Sequence, residues 1–327
     1  MNRIGMIALL AFVCPRLNSS DDAPTVPAQM LVSVGHYFSR EPPTLTRSDL
    51  IVTERNEPLP VTQLIRLRGD RAGLRLFLLI DNCSNWERRS QFEELQHFIL
   101  SQPSTTMIGV AHVQNARLQV AQNPTPDRER AVKALNTSVG CQPSSPFIAL
   151  AKLIRDWPQG PLRRAVLLIS NGIDPAAADE MLIPSAEAAI EASQRAEVTV
   201  YAIYHPAADY RATGTSRLYA GQVQLAHVAI ETGGEAYFKG LAPLPSLSPF
   251  LADIAEHLAN QYLLEFFANP ATGFGALQEV TVQSRKIPQV ELMAPYRVWV
   301  PGHRPGRSTD NELNYVVSCE KRPPIHL

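Results

Sequence analysis

The sequence predicts an α/β fold with a doubly wound, mostly parallel and Rossmann-like sheet, beside a small antiparallel β-domain built from both flanking segments. The first observation is the apolar run at residues 76–80, which ends abruptly at Asp81 and is typical of a strand buried on both faces. The second is the alternation of strand and helix patterns that continues to residue 258, the mark of a doubly wound sheet. The third is a set of short strand patterns before and after this region, which need partners to form a stable sheet.

Residues 1–20 are predicted to be a signal peptide. Arg3 supplies the positive charge, and residues 4–13 are apolar over the length of a signal-peptide core, too short for a membrane-spanning helix. A buried strand or helix is the alternative interpretation. Lipidation at Cys14 stays open, because the residues before it resemble a lipoprotein cleavage box only faintly. We therefore expect a periplasmic, cell-surface or secreted protein with no integral membrane span.

Residues 30–70 are predicted to be the first half of the β-domain, after a flexible leader at residues 19–28. Apolar alternations near residues 31–34 and 50–52 are separated by proline-bearing turns, which predicts two or three antiparallel strands.

Residues 72–260 are predicted to form the α/β domain, which interrupts the β-domain. Its predicted strands lie at residues 76–80, 107–113, 117–121, 165–169, 198–204 and 235–238. Its predicted helices lie at residues 87–100, 127–135, 146–157, 184–196, 222–231 and 247–258.

Residues 261–300 are predicted to complete the β-domain, with strands at residues 261–268, 277–284, 290–293 and 298–300. Residues 301–327 are rich in proline, arginine and polar residues, a composition that predicts a disordered tail.

The segment at residues 74–85, Leu-Arg-Leu-Phe-Leu-Leu-Ile-Asp-Asn-Cys-Ser-Asn, resembles the first strand and first metal loop of von Willebrand factor A (VWFA) domains. In that family the loop runs Asp-x-Ser-x-Ser and helps to hold a divalent cation at the metal-ion-dependent adhesion site (MIDAS). Asp81 matches the aspartate, Cys83 stands in place of the first serine, and Asn85 replaces the second.

The resemblance extends over residues 30–301, to the VWFA-related domain proteins of acidobacteria. Those proteins carry a signal peptide, a short β-segment, the A domain and a closing β-segment. Residues 48–65 are similar to their leading segment, and residues 261–264 and 295–299 to their closing one.

The resemblance also implies which residues line the ligand-binding loops. The family's second loop offers a threonine, matched here by Ser145 or less well by Ser144, and its third loop offers Asp-Gly, matched here by Asn171 and the glycine after it. The degenerate site would thus comprise Asp81, Cys83, Asn85, Ser145 and Asn171.

We expect this site to bind magnesium weakly or not at all, and we expect no cofactor. Magnesium prefers oxygen ligands, carboxylates above all, but Asn171 is neutral and the Cys83 thiol is a soft ligand. If a divalent cation does bind, Asp81, Asn85 and Ser145 are the expected ligands. Asp174, three residues beyond Asn171, is a further carboxylate that could turn toward it.

Removal of a signal peptide would leave three cysteines, Cys83, Cys141 and Cys319. Cys83 lies in the first predicted loop and Cys141 in the second, and these loops meet in an A domain. In an oxidising compartment the two could form a disulfide if their Cα atoms lie within about 7 Å. Two separate thiols are the alternative.

The sequence favours a non-catalytic protein that binds a protein or a cell-surface ligand. The balance of 30 Lys+Arg against 31 Asp+Glu, with no basic patch, argues against a nucleic-acid partner. Phosphate-loop, Gly-x-Ser-x-Gly and Gly-x-Gly-x-x-Gly motifs are absent from the sequence, so we expect no enzyme.

Two other hypotheses stay open. One is a scaffold or assembly component of the cell envelope, whose interface is the β-domain and whose ligand-binding loops bind no partner. The other is a cysteine-dependent hydrolase that pairs Cys83 with His112 or His97. Under the favoured hypothesis, Asn85, Trp86 and Gln142 would hold the partner in place of a metal.

Overall fold

The computed structural model describes residues 25–36, 42–81, 89–114, 117–136, 145–175, 184–207, 210–285 and 290–302. The strands are β1 (Val26–His36), β2 (Leu50–Glu54), β3 (Glu57–Leu59), β4 (Val61–Arg66), β5 (Leu74–Asp81), β6 (Thr106–Gln114), β7 (Arg117–Thr125), β8 (Arg163–Ser170), β9 (Val198–Tyr204), β10 (Ala236–Tyr237), β11 (Gln261–Ala268), β12 (Gly275–Glu279), β13 (Thr281–Ser284), β14 (Val290–Met293) and β15 (Arg297–Pro301). The helices are α1 (Arg89–Ser101), α2 (Arg128–Leu135), α3 (Pro146–Asp156), α4 (Pro184–Arg195), α5 (Thr215–Glu231) and α6 (Ser248–Ala259). Among the described helices, none combines the length and the apolar character that crossing a membrane requires.

The central sheet has six strands in the order β10-β9-β8-β5-β6-β7. All neighbours pair in parallel except β6 and β7, which pair antiparallel. The sequential order of the strands reverses between β5 and β8, as in a doubly wound fold. The predicted fold class is therefore confirmed.

The core of this sheet follows from the alternation of side chains along β5. Phe77 and Leu79 pack on one face against α3, α4 and α5, while Leu76 and Leu78 pack on the other face against α1, α2 and α6. These four side chains are 2% exposed or less. Each contributes about 1.5–3 kcal/mol by burial, which explains the uninterrupted apolar run in the sequence.

The antiparallel β-domain forms from both flanking segments, as predicted. β1 pairs with β11 from Val26–Ala268 to Ser33–Gln261, and β11 pairs with β4, which gives a sheet with the order β14-β1-β11-β4. Two smaller sheets, β13-β2-β3 and β12-β15, complete this part of the chain. Met30, Val32 and Leu264 lie in its shared core.

Several predicted boundaries were wrong. β1 begins at Val26, before the predicted boundary at residue 30, because its first residues pair with β11. The helix predicted at residues 222–231 begins at Thr215 and buries Leu218. The strand predicted at residues 277–284 is two strands, because β12 pairs with β15 whereas β13 pairs with β2.

The predicted first half of the β-domain contains four strands rather than two or three. The predicted tail begins too early, since residue 301 closes β15. The predicted signal peptide and the tail from residue 303 onward lie outside the described residues.

A half-buried arginine joins the two parts of the chain at the amino end of the sheet. Arg163, the first residue of β8, donates hydrogen bonds to the carbonyl oxygens of Leu258 (2.6 Å) and Ala72 (3.1 Å), and to Oε1 of Gln261. Burial lowers the pKa of Arg163 to about 10, so the guanidinium remains charged at neutral pH. The side chain thus connects the end of α6 and the start of β11 to the central sheet.

Candidate functional site

The predicted site lies at the top edge of the central sheet, which we define as the carboxyl ends of β5 and β8, where the strand order reverses. Ligands of open α/β sheets bind in the crevice at this place. Asp81 ends β5 and Ser170 ends β8, and they are 1% and 0% exposed. Ser170 Oγ donates to Oδ2 of Asp81 at 2.8 Å and accepts from the Gly172 amide at 3.0 Å. The hydrogen bond between Ser170 and Asp81 thus joins the ends of the two strands at the bottom of the crevice.

Asn171 uses its side chain to shape the loop after β8. Its Oδ1 accepts from the amide of Ile173 at 2.8 Å, an Asx-turn. Gly172 follows with φ +70°, and a Cβ on it would lie 2.1 Å from the carbonyl oxygen of Gly221 in α5. The glycine is required for this close approach, whatever ligand the loop serves.

Ser145 lies where the sequence placed it, at the amino end of α3. Its Oγ accepts from the amide of Ile148 at 3.3 Å, as a helix N-cap, and donates to Oδ2 of Asp174 at 2.6 Å. Asp174 is 4% exposed and also accepts from Ser185 Oγ in α4. The sequence indicated Asp174 only as a further carboxylate that could turn toward a cation. In the structure, Asp174 joins the loop after β8 to α3 and α4.

The hydrogen bonds of Ser170 to Asp81 and Gly172 were not predicted from the sequence. A serine that ends an uninterrupted apolar strand is the signal that could have identified them, because a hydroxyl at that position can meet the end of the neighbouring strand. At this edge the structure forms two hydrogen-bonded pairs, Asp81 with Ser170 and Asp174 with Ser145.

In the described part of this site, two oxygens that were predicted to line the ligand-binding loops make hydrogen bonds within the protein. The Asn171 oxygen accepts from its own loop, and the Ser145 hydroxyl is both a helix cap and a donor to Asp174. Cys83, Asn85 and Cys141 lie outside the described residues, so the first loop and the disulfide stay predictions.

His112 makes a structural contact near the top edge. It is 1% exposed, and its Nε2 lies 2.9 Å from the Ala134 carbonyl oxygen. Burial lowers the pKa of His112 below its ordinary value, and the hydrogen bond to Ala134 partly opposes that effect. His97, the other histidine considered for a hydrolase, is exposed on α1.

Neither a comparison with protein-family models nor one with curated proteins finds a match to this sequence. Among solved structures, the chain is similar to an aerotolerance-related membrane protein from Bacteroides fragilis, with 14% identity and TM-score 0.41 over 57% of this chain and 98% of that one. It is similar to the vWF domain of the type V pili tip protein Mfa5 from Porphyromonas gingivalis, with 11% identity and TM-score 0.42 over 56% and 94% of the chains. It is also similar to the ArnB paralog VWA2 from Sulfolobus acidocaldarius, with 9% identity and TM-score 0.37 over 85% and 76%.

These identities and TM-scores are too low to assign the ligands or partners of the three proteins to this chain. The resemblance to acidobacterial proteins stays a prediction. The doubly wound strand order, the antiparallel edge strand and the aspartate at the end of the first parallel strand agree with the family resemblance noted in the sequence. The chain thus carries a doubly wound α/β domain whose strand order is similar to that of von Willebrand factor A domains.

Proposed function

We propose that this protein is a non-catalytic, extracytoplasmic binding module that captures a protein or surface ligand at the top edge of its α/β domain. The observation that carries the proposal is the closed pair of Asp81 and Ser170 at the point where the strand order reverses. This pair joins the ends of β5 and β8, where the loops that follow these strands begin. Binding residues commonly lie on loops that a rigid scaffold positions in this way.

The proposal includes a degenerate metal site. Hydrogen bonds from serine hydroxyls to Asp81 and Asp174 join the ends of β5 and β8 and connect the loop after β8 to α3. We expect the partner to be recognised by loop shape and polar side chains. The structural contact of His112 with Ala134 supports a non-catalytic assignment, because it turns Nε2 toward the backbone.

A pull-down from the native cell envelope tests this proposal, with the full chain as bait and with and without a chelator. Replacing Asn85, Trp86 and Gln142 together by alanine should abolish capture of a reproducible partner, while the chelator should leave capture unchanged. Circular dichroism would check that the variant remains folded. Capture that survives the triple substitution would contradict the proposal, and capture lost with chelator would contradict the degenerate metal site.

Calorimetric titration with magnesium addresses the same point. We expect no site tighter than millimolar in the native chain, and tighter binding once Asp is placed at position 171 and Ser at positions 83 and 85. A micromolar site that disappears in Asp81→Ala would show that the remaining oxygens suffice for magnesium.

The exposure of Phe274 favours a second candidate, assembly through the β-domain. Phe274 lies in the turn between β11 and β12 and is 92% exposed; a large aromatic side chain so exposed is typical of contact surfaces. Phe274→Ser, on an otherwise native chain, should abolish capture under this candidate and leave it intact under the first.

A further inference from the structure

A second group of polar side chains lies away from the top edge, beside the junction with the β-domain. Glu235 precedes β10, and Asp253 and His257 lie four residues apart on α6. One donor atom from each of the three lies within 4.8 Å of the others. Residues four apart in a helix share a face, so this pairing is set by the sequence.

The hydroxyl of Tyr237 in β10 completes the group. Its Oη lies 2.8 Å from Oδ2 of Asp253, 3.2 Å from Oε2 of Glu235 and 3.4 Å from Nδ1 of His257. His257 Nδ1 lies 3.7 Å from the same Glu235 oxygen. These four nitrogen and oxygen atoms thus lie close together, although they come from α6, from β10 and from the residue that precedes β10.

We propose that these four side chains form a zinc-binding site, with His257 Nδ1, Asp253, Glu235 and the Tyr237 hydroxyl as ligands. Zinc takes nitrogen and oxygen ligands in tetrahedral geometry, with bonds of about 2.0–2.2 Å. The corners of such a tetrahedron are about 3.3–3.6 Å apart. Four of the six edges range from 2.8 to 3.7 Å, and the ligand atom of Asp253 lies within 4.8 Å of those of Glu235 and His257, so the ion fits once the side chains move closer together.

Excess negative charge around the group points the same way. The carboxylates of Asp253 and Glu291 both lie close enough to Glu235 to repel its negative charge. A bound cation would offset this repulsion.

The site is accessible and is placed to stabilise the junction. The Glu235 side chain is 40% exposed, whereas that of His257 is 7% exposed, so an ion can enter from solvent and meet a buried nitrogen. The His257 ring stacks on Tyr201 with centroids 6.2 Å apart, and the Tyr201 hydroxyl lies 3.4 Å from Ser33 Oγ in β1. Bound zinc would therefore fix α6 against both β10 and the β-domain.

Zinc titration of the chelator-treated full chain tests the proposal, with bound zinc measured by elemental analysis after gel filtration and stability measured by thermal unfolding. We expect about one zinc per chain, at least tenfold weaker binding in Asp253→Asn and His257→Gln, and a thermal midpoint that rises with zinc only in the native chain. Tetrahedral cobalt absorption, lost in the same variants, would report the geometry.

His227→Gln is the matched control, because His227 also lies near two glutamates, Glu187 at 3.6 Å and Glu231 at 4.0 Å. It should keep the zinc. Tyr237→Phe retains the three other ligands and should weaken binding less than His257→Gln, which keeps the test valid if the helix variants fail to fold. No stoichiometric zinc in the native chain, or zinc lost with His227 and retained without His257, would overturn the proposal.

Discussion

Different kinds of hydrogen bond stabilise the two ends of the central sheet. At the top edge, neutral hydroxyls of Ser170 and Ser145 donate to the buried carboxylates of Asp81 and Asp174. At the amino end, the cation of Arg163 donates to three oxygen atoms from both parts of the chain. The bonds at the top edge lie within the α/β domain and shape its loops, whereas those at the amino end cross to the β-domain. Because the two sets of hydrogen bonds share no residue, we expect substitutions at the candidate binding edge to leave the junction intact.

The largest effect should come from the amino end. Arg163→Met removes the donor from three oxygen atoms, and each buried acceptor left unsatisfied costs about 1–3 kcal/mol. We expect the free energy of unfolding to fall by about 3 kcal/mol, measured by urea denaturation. Lys152→Met is the control: its exposed pair with Asp156 should contribute at most about 1 kcal/mol. A loss for Arg163→Met no larger than the control would mean that the junction does not depend on this arginine.

A smaller effect should follow from crowding the top edge. Gly172→Ala places a Cβ against the Gly221 carbonyl and should reduce stability by about 2 kcal/mol or more, from strain and overpacking. Gly240→Ala separates the two causes, because Gly240 has the same φ of +70° and no atom within 4 Å of the added Cβ. Equal midpoints of thermal unfolding for both variants would indicate that backbone strain alone, and not the contact with α5, accounts for the loss.

The smallest effect should be a pH dependence at the top edge. His112 has a pKa lowered by burial, so the unfolded chain binds its proton more readily than the folded chain. Its contribution to stability is complete above the unfolded pKa of about 6.5 and is lost as pH falls through that value. Urea denaturation between pH 8 and pH 5 should show a shallower decline for His112→Gln than for the native chain. Parallel curves would exclude His112 as the group responsible.

The fold was predictable because burial leaves a periodic trace in sequence. The uninterrupted apolar run of β5 identified the central strand, and the family resemblance placed Asp81 at its end. Hydrogen-bond partners leave a weaker signal. The serine that ends β8 could have suggested a contact with the neighbouring strand, but the sequence does not identify Asp81 as the partner of Ser170 or Asp174 as the partner of Ser145, since each pair joins residues far apart in the chain. The Asp253 and His257 pair has helical spacing and could have been found, but Glu235 and Tyr237 come from another element and needed the structure.

The pairing of β1 with β11 has a consequence for the order in which the chain can fold. Val26 lies opposite Ala268, so the whole α/β domain forms one loop that must close before this ladder exists, and closing long loops slows folding. During synthesis the first strand emerges long before its partner and presents unpaired backbone groups to any neighbouring strand. The α/β domain, whose strands pair within a shorter stretch of chain, can fold first and bring the two ends together. A chaperone that covers the first strand until β11 appears would therefore raise the yield of native protein more than one that acts on the finished α/β domain.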